Sequence, residues 1–400
     1  MGHEIRVLET KAELKRAAAI FYAALVAWPP PKADDVSEFY EPGRCIGVFD
    51  GSELVGTAAS FTSWLSVPGG RRIPQAAITD VGVLPSHTRR GVAGALIRQQ
   101  FADAAARGEI VASLRASEAV IYERFGYGVA NSVVSVEIIT DRARFRPTVP
   151  AGGPIRLIDP LTSWDLLAKI YDPIDHPGAI ERHSYWWRGL QERVCRQDEV
   201  QYLVVHGNPG SEDGFAWYSP LNSDAWFSGK NRTIAVSDFI AHTASAYLGL
   251  LRFFCSIDLI ERVRLGTMPL DHSLSVLLTD GRAVQTIGIR DETWLRLIDV
   301  EAALAARSYA GHGSVVIGVA DDLLPANTGS YRVGTGGVSR TGDQPDLTTD
   351  VASLAAAYLG GTPWWQLALA GRVTERSAGA LALVDSLFAV PKAPFSGTMF

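Results

Sequence analysis

The sequence predicts a mixed α/β protein of several domains, and three observations support this prediction. Segments with alternating apolar and polar residues, typical of strands, are interleaved with segments of helical apolar spacing. The chain has 400 residues, enough for two to four domains. A proline- and glycine-rich linker at 147–154 and a change of pattern near residue 291 divide the chain. We therefore predict domains at residues 1–150, 151–290 and 291–400.

The composition narrows the function classes. With 47% hydrophobic and 20% charged residues, the chain can form sizeable cores, and its net charge of −6 favours a cationic substrate over nucleic acid. Cys45, Cys195 and Cys255 form no C-x-x-C pair, so we expect no disulfide framework and no metal site. No apolar run reaches membrane-spanning length and no signal peptide is evident, so we expect a cytoplasmic protein that does not bind membranes.

The first seventy residues predict a helix followed by a hairpin. Thr10 to Glu13 reads as a capping box, and the apolar face of 14–26 continues it as a helix. Strands at 44–49 and 53–61 are joined by Asp50-Gly51, a strong hairpin signal. A second turn follows at residues 68–70.

The strongest functional signal is the segment from Thr79 to Leu96. A strand ends at Pro85, and a turn carrying Arg89 and Arg90 leads into a helix that opens at Gly91. Free N–H groups, the positive end of the helix dipole and two guanidinium groups all favour an anion, so the turn is predicted to bind a phosphate chain. The alternative is a helix start with two solvated arginines.

Three phosphate-loop types compete for this turn. A Walker loop is excluded because no Gly-Lys-Ser/Thr follows, and the glycine spacing does not fit the dinucleotide fingerprint. The turn resembles the acyl-CoA pyrophosphate loop of the GNAT N-acetyltransferases, V-x-P-x-x-R/Q-x-x-G-x-G/A. The pattern falls on Val83, Pro85, Thr88, Gly91 and Ala93. Thr88 departs from it, since the family usually has Arg or Gln there.

A second motif supports the same resemblance. After a predicted strand at 110–115, the GNAT signature Y-x-x-x-G-F/Y falls on Tyr122, Gly126 and Tyr127. The order of helix, hairpin, strand, pyrophosphate helix, strand and tyrosine helix is also that of the GNAT fold.

The remaining two parts carry no such loop. Residues 151–290 predict a second α/β domain with a strand at 200–206, an aromatic strand region and an apolar helix at 241–254; we interpret it as a degenerate acetyltransferase domain. Residues 291–400 predict an α+β domain. Its predicted elements are a strand passing into a helix within 294–309, strands at 314–320 and 329–333, and helices at 347–360 and 377–388.

Nearly the whole chain resembles the Eis ("enhanced intracellular survival") family of actinobacterial acetyltransferases. The residues that carry this resemblance are 83–91, Ser117-Glu118, Ile121-Tyr122, 124–128, 294–309 and Phe400. The resemblance implies tandem GNAT domains followed by a sterol-carrier-protein-like domain, assembly into homohexamers, and acetylation of aminoglycoside amines or, in some members, lysine side chains. It also implies that Tyr122 is the general acid and that the carboxylate of Phe400 is the general base.

The resemblance further implies a binding site for acetyl-CoA. The implied residues are Val81, Val83, Thr88, Arg89, Arg90, Gly91, Val92, Ala93, Gly94 and Ser117. Met399 stands where some relatives have an acidic residue that helps bind cationic drugs.

Elementary chemistry agrees with an acid–base pair. An amine attacks a thioester only when unprotonated, so a base is needed, and the leaving thiolate benefits from a proton donor. Tyr122 fits the role of proton donor, because the pKa of a tyrosine, roughly 10, is not far above that of a thiol. Tyr127 is the other candidate for this role. Alternatively, Tyr122 is a tyrosine of the core with a purely structural role. Residue chemistry alone would not identify Phe400 as the base, because chain ends are normally frayed.

Acids and aromatic residues between positions 28 and 41 provide a candidate substrate site. Trp28 is a candidate wall, and Asp34, Asp35 and Glu38 could hold an amine, although a solvated helix face explains them equally well. The sequence leaves open an acetyltransferase for protein lysines or polyamines, and a non-catalytic protein whose last domain binds a lipid-like ligand.

Overall fold

The computed structural model describes residues 4–26, 36–196, 200–223, 226 and 231–400, and within them strands and helices are interleaved as predicted. The strands are β1 (Glu4–Val7), β2 (Cys45–Asp50), β3 (Glu53–Ser66), β4 (Arg72–Val83), β5 (Val111–Leu114), β6 (Gly128–Ile139), β7 (Ile155–Ile158), β8 (Tyr202–His206), β9 (Gly214–Leu221), β10 (Thr233–Ala241), β11 (Arg262–Pro269), β12 (Val284–Leu297), β13 (Ser314–Ala320), β14 (Gly329–Gly334), β15 (Gly337–Thr341), β16 (Leu347–Asp350) and β17 (Val373–Glu375). The helices are α1 (Lys11–Leu25), α2 (Val92–Ala106), α3 (Ala119–Tyr122), α4 (Trp164–Tyr171), α5 (Ser184–Arg196), α6 (Ala244–Ser256), α7 (Leu274–Leu277), α8 (Val300–Ala306), α9 (Val351–Tyr358), α10 (Trp364–Leu369) and α11 (Ala380–Phe388).

The chain folds into two compact units, and its ends both belong to the first. Unit 1 contains Met1–Asn131, Asp175–Arg188 and Glu292–Phe400, whereas unit 2 contains Ser132–Ile174 and Gly189–Asp291. Unit 1 therefore brings the predicted phosphate loop, a short internal segment and the C-terminal residues into one body.

The first sheet of unit 1 runs in the order β1-β2-β3-β4-β5, followed by the end of β12. Strands β4 and β5 are parallel and pair only from Gln75↔Val111 to Ala77↔Ser113. Beyond these pairs β4 continues to Val83 along β3. Near the phosphate loop, the edge of β4 that faces β5 therefore has no pairing with β5.

Helix α1 begins where the sequence predicts. The Thr10 hydroxyl accepts a hydrogen bond from the N–H of Glu13 (3.2 Å), and the Glu13 carboxylate accepts one from the N–H of Thr10 (3.1 Å). The predicted capping box is confirmed. The helix packs on β4 at Gly82, where an added Cβ would lie 2.8 Å from the Cα of Phe21. A larger residue at this position would push α1 away from the strand.

The second sheet of unit 1 forms the core of the C-terminal part, in the order β15-β14-β13-β16-β17. The predicted strands at 314–320 and 329–333 are confirmed. The predicted helix at 347–360 is wrong at its start, because Leu347–Asp350 is a strand parallel to β13. The Asp350 carboxylate accepts a hydrogen bond from the N–H of Ser353 (2.6 Å), so it caps α9 and fixes the helix start at Val351.

Unit 2 contains a sheet in the order β11-β10-β9-β8-β7, flanked by the part of β6 from Val133 onward. The predicted apolar helix at 241–254 is α6, which begins after Thr243 because the Thr243 hydroxyl accepts a hydrogen bond from the N–H of Ala246. Its buried residues, including Leu250 and Phe254, pack against Val263 and Leu265. Unit 2 is thus an α/β body with its own core.

Candidate active site

The predicted phosphate loop is the connection between β4 and α2. After Val83 a 3-10 turn at Pro85–His87 leads to Gly91, which precedes α2 with φ +85°. Ala95 is the first residue of the helix to bond back, donating its N–H to the carbonyl of Gly91 (3.0 Å). The N–H groups of residues 92–94 therefore have no partner within the helix. These amides and the helix dipole make the start of α2 suitable for an anion.

The three side chains before Gly91 are all exposed. Arg89 has a positive φ of 62°, and Arg89 and Arg90 place two cationic groups beside the helix start. The Thr88 hydroxyl donates a hydrogen bond to the carbonyl of Pro85 (3.1 Å). Thr88 thus shapes the turn rather than adding a third charge to it.

Strand β4 leads into this loop through an irregular stretch. The β3–β4 register shifts between Thr57 and Ala59, and Asp80 adopts a positive φ of 51°. Val81 and Val83 follow and are half-buried. The main chain of both residues lies where β4 has no pairing with β5, beside the start of α2.

Sequence reasoning assigned no role to Asp80. The Tyr40 hydroxyl donates a hydrogen bond to its Oδ2 (2.9 Å), and Thr79 donates one to Oδ1 (3.4 Å). Burial raises the pKa of Asp80 above the usual aspartate value, more than these hydrogen bonds lower it. A half-buried acid on the predicted cofactor strand is a second candidate base. Its signal in the sequence was its position, one residue before Val81.

Tyr122 ends the short helix α3 and is 7% exposed. Burial raises the pKa of its hydroxyl to about 12, so the group holds its proton at neutral pH. Tyr127 lies 5.8 Å away, ring centroid to ring centroid, but is completely buried. Its hydroxyl has no hydrogen-bond partner among the described residues. Tyr122 is the more accessible of the two tyrosines.

Ser117 lies in the exposed loop between β5 and α3. The end of β5 therefore leads directly through Ser117 to Tyr122, five positions later. This loop follows the strand that separates from β4.

The C-terminal residues are held in place, contrary to the behaviour expected of a chain end. Ser396 is 0% exposed and Thr398 is 1% exposed. Arg115 donates hydrogen bonds to the carbonyl of Thr398 from Nε (3.0 Å) and Nη2, and to the hydroxyl of Ser396 (2.8 Å). Because Arg115 directly follows β5, the C-terminal tail (residues 396–400) lies beside the segment that carries Ser117.

Glu292 also holds the tail. Its carboxylate accepts hydrogen bonds from the N–H groups of Ser396 (2.9 Å) and Gly397 (2.7 Å). Arg115 and Glu292 are also an ion pair, with Nη2 and Oε1 3.6 Å apart. Both side chains are at most 11% exposed.

Two residues of the 175–188 segment complete this binding site for the tail. Arg182 donates to the hydroxyl of Thr398 (3.0 Å), and Trp186 donates its indole N–H to the carbonyl of Met399 (2.5 Å). Phe400 is half-buried against the unit 1 core, and the Arg115 guanidinium carbon lies 5.3 Å from its ring centroid. The structure therefore fixes the end of the chain by main-chain recognition.

Sequence reasoning missed Arg115, Arg182 and Glu292. Arg115 and Thr398 are 283 positions apart, so no periodicity or motif links them. The available signal was weak: Arg115 directly follows the apolar strand β5, Glu292 lies inside β12, and Arg182 precedes α5.

The predicted substrate residues are only partly visible. Trp28, Asp34 and Asp35 lie outside the described residues. Glu38 is exposed on a 3-10 turn, and its carboxylate lies 3.4 Å from the Arg188 guanidinium of α5. Because α5 also carries Trp186, Glu38 and the tail contact the same helix.

Neither a metal-binding cluster nor a membrane-spanning helix is found in the described part of the chain. No group of three or more His, Cys, Asp or Glu side chains there could hold a metal ion. No helix among those residues has the length and hydropathy needed to cross a membrane.

Comparison with protein families matches three consecutive domains. An acetyltransferase (GNAT) domain matches residues 4–130, a second acetyltransferase (GNAT) domain matches 178–297, and a sterol carrier protein domain matches 300–397. The predicted fold class, tandem GNAT domains followed by a sterol-carrier-protein-like domain, is confirmed.

Similar proteins cover most of the chain. An uncharacterized N-acetyltransferase of Streptomyces avermitilis is 36% identical over 89% of each chain. The N-acetyltransferase Eis of Mycobacterium tuberculosis is 32% identical over 86% of this chain and 85% of its own. The crystal structure of Eis1 from Mycobacterium abscessus is 46% identical, with a TM-score of 0.94 over 99% of this chain and 100% of that one. The chain therefore belongs to the Eis family of N-acetyltransferases.

Proposed function

We propose that this N-acetyltransferase transfers the acetyl group of acetyl-CoA to primary amines of cationic, aminoglycoside-like substrates, at one or more positions. GNAT domains in general use acetyl-CoA as their donor. The observation that carries the proposal is the helix start at Gly91, with its amides and adjacent arginines, beside the unpaired edge of β4. A diphosphate fits the first feature and an extended pantetheine arm fits the second.

The donor is proposed to lie along β4 and across the start of α2. The main chain of Val81 and Val83 would hold the arm, and the loop from Thr88 to Gly94 would hold the diphosphate. Ser117, after the end of β5, would lie beside the reacting end of the donor. Arg89 and Arg90 are both exposed to solvent, which supports this arrangement.

The proposed reaction is direct transfer. The amine nitrogen attacks the thioester carbonyl, the new C–N bond forms and the C–S bond breaks. The carboxylate of Phe400 takes a proton from the nitrogen, and Tyr122 gives a proton to the sulfur. The pKa of Tyr122, raised by burial to about 12, means that the hydroxyl carries the proton to be donated at neutral pH, although the raised value makes it a weaker acid than a free tyrosine.

The substrate class rests on charge. The chain has a net charge of −6, and Glu38 is exposed near the tail-binding helix α5. Met399 is 62% exposed and contributes no negative charge beside Phe400. Protein lysines and polyamines offer the same ammonium group and remain the alternative substrates. We also propose a homohexamer, by family resemblance, which light scattering in solution would test.

A substrate panel tests the proposed function. Acetyl-CoA is mixed with the protein and with aminoglycosides, polyamines or a lysine peptide, and free CoA thiol and product mass are followed. We expect thiol release with mass gains of one or more acetyl groups on the aminoglycosides. Release only with lysine peptides or polyamines would overturn the substrate class. No release with any amine would overturn acetyl transfer at this site.

A further inference from the structure

The tail-binding site consists of Arg115, Arg182, Trp186 and Glu292, which hold the C-terminal residues 396–399 by hydrogen bonds. The contacts to residues 396–398 are chiefly to main-chain atoms, with hydroxyl contacts at Ser396 and Thr398. Glu292 accepts two amide N–H groups, and Arg115 donates twice to one carbonyl. Recognition of main chain fixes where a segment lies along its own length, since Glu292 matches the amides of Ser396 and Gly397 and Arg115 matches the carbonyl of Thr398.

We propose that Arg115 is a positioning residue for acetyl transfer, which sets the register of the tail so that the carboxylate of Phe400 lies two residues beyond the anchored Thr398. This inference rests on the proposed function, in which that carboxylate is the base. Arg115 itself touches the tail and not the reacting atoms.

Three features support Arg115 as the organising side chain. It donates hydrogen bonds to Thr293 in β12 and to Ser396 and Thr398 in the tail, so it links β12 to the tail. It is only 11% exposed, so its hydrogen bonds exchange little with water. Its guanidinium is paired with Glu292, so removal of Arg115 would also leave a buried carboxylate without that partner.

The expected consequence is a loss of turnover with little loss of donor binding. A displacement of about 1 Å in a reacting group can cost roughly a hundredfold in rate. The hydrogen bonds of Arg115 described above go to the tail and to Thr293 rather than to the Gly91 loop, so KM for acetyl-CoA should stay within about twofold.

The direct test follows the tail and the rate in the same variants. Carboxypeptidase A is added to wild type, Arg115→Ala and Arg115→Lys, and release of Phe400 is timed by intact mass. We expect Arg115→Ala to lose Phe400 at least about tenfold faster and to lose about tenfold or more in kcat. Arg115→Lys, which keeps the charge but not the forked donors, should fall between.

Arg156→Ala is the matched control. Arg156 likewise donates to a carbonyl, that of Gly207 (3.1 Å), and pairs with a carboxylate, that of Glu212, but it does not contact the tail. Its release of Phe400 and its kcat should match wild type.

A register variant covers the case in which Arg115→Ala fails to fold. One glycine inserted between Thr398 and Met399 leaves every contact to residues 396–398 available and moves the carboxylate by up to about 3.5 Å. We expect a fall in kcat without a change in thermal unfolding.

The outcomes separate the two proposals. Unchanged release of Phe400 from Arg115→Ala, or full kcat in the insertion variant, overturns the positioning role. Faster release with unchanged kcat shows that Arg115 anchors a tail that takes no part in the reaction, which overturns both the positioning role and the proposed base. Acetyl transfer in the wild type is unaffected by any of these results.

Discussion

At the residue scale, two tyrosines of one motif have different environments. Tyr122 is 7% exposed and Tyr127 is 0% exposed, although they are five positions apart and their rings are in contact. The motif match favours Tyr122 as the general acid, and both tyrosines lie next to the segment that turns from α3 into β6. The difference in burial supports Tyr122 as the residue that could reach a leaving thiolate.

Replacing Tyr122 by Phe should lower kcat by about a hundredfold or more, because the leaving sulfur loses its proton donor. KM for acetyl-CoA should change little. Since burial raises the pKa of Tyr122 to about 12, no loss of rate from its ionisation is expected between pH 8 and 10. Steady-state thiol release over that pH range checks both statements.

Tyr127→Phe is the control for this prediction. It removes only a hydroxyl that finds no partner among the described residues, so kcat should stay near that of wild type. A large loss in Tyr127→Phe with normal folding, or near-normal turnover in Tyr122→Phe, would contradict the assignment of the acid.

At the scale of elements, the start of α2 depends on backbone conformation. Gly91 has φ +85°, which side-chain-bearing residues rarely adopt, although an added Cβ would meet no atom within 4 Å. Glycine is therefore needed here for its conformational freedom and for close approach of a ligand, not for packing.

Gly91→Ala should lower affinity for acetyl-CoA by roughly tenfold, because strain of about 1–2 kcal/mol would be relieved by shifting the amides at the helix start. Isothermal titration calorimetry measures this. Gly108→Ala is a matched control at the other end of the same helix: its φ is +74° and its added Cβ would also meet no atom within 4 Å. Equal affinity losses in both variants would show that the effect comes from helix stability alone.

At the scale of the whole molecule, the proposed active site would combine residues from distant parts of the chain. The Gly91 loop and Tyr122 come from the first GNAT domain, Arg182 and Trp186 from an internal segment, and Phe400 from the C-terminus. The end of the chain is therefore predicted to be part of the catalytic apparatus.

A short peptide fused after Phe400 should reduce turnover to background, because the proposed base becomes an amide. Acetyl-CoA affinity should stay nearly unchanged, since the donor loop is untouched. The same peptide fused at Met1 is the control. Turnover assays and calorimetry on the two fusions check this prediction.

Asp80→Asn tests the rival base in parallel. If Phe400 is the base, this variant keeps most of its turnover, and its stability depends less on pH. The sign follows from the raised pKa: the stability that Asp80 contributes is complete below the unfolded value, near 3.9, and is lost as pH rises through the folded pKa. Background activity in Asp80→Asn with full activity in the C-terminal fusion would make Asp80 the base instead.

The sequence by itself determined the local structure and the family. The Thr10 capping box, the Asp50-Gly51 hairpin and the strand–turn–helix around Gly91 were all predictable, because each depends on residues close together in the chain. The start of α9 was misplaced, since the pairing of Leu347–Asp350 with β13 outweighed the local helical pattern.

Only the tertiary structure decided how the candidate site is assembled. The separation of β4 from β5, the partial burial of Asp80 and the binding of the tail by Arg115, Arg182 and Glu292 all depend on residues remote in sequence. A local pattern cannot encode such contacts, because they arise when separate segments pack together and exclude water from the polar groups between them.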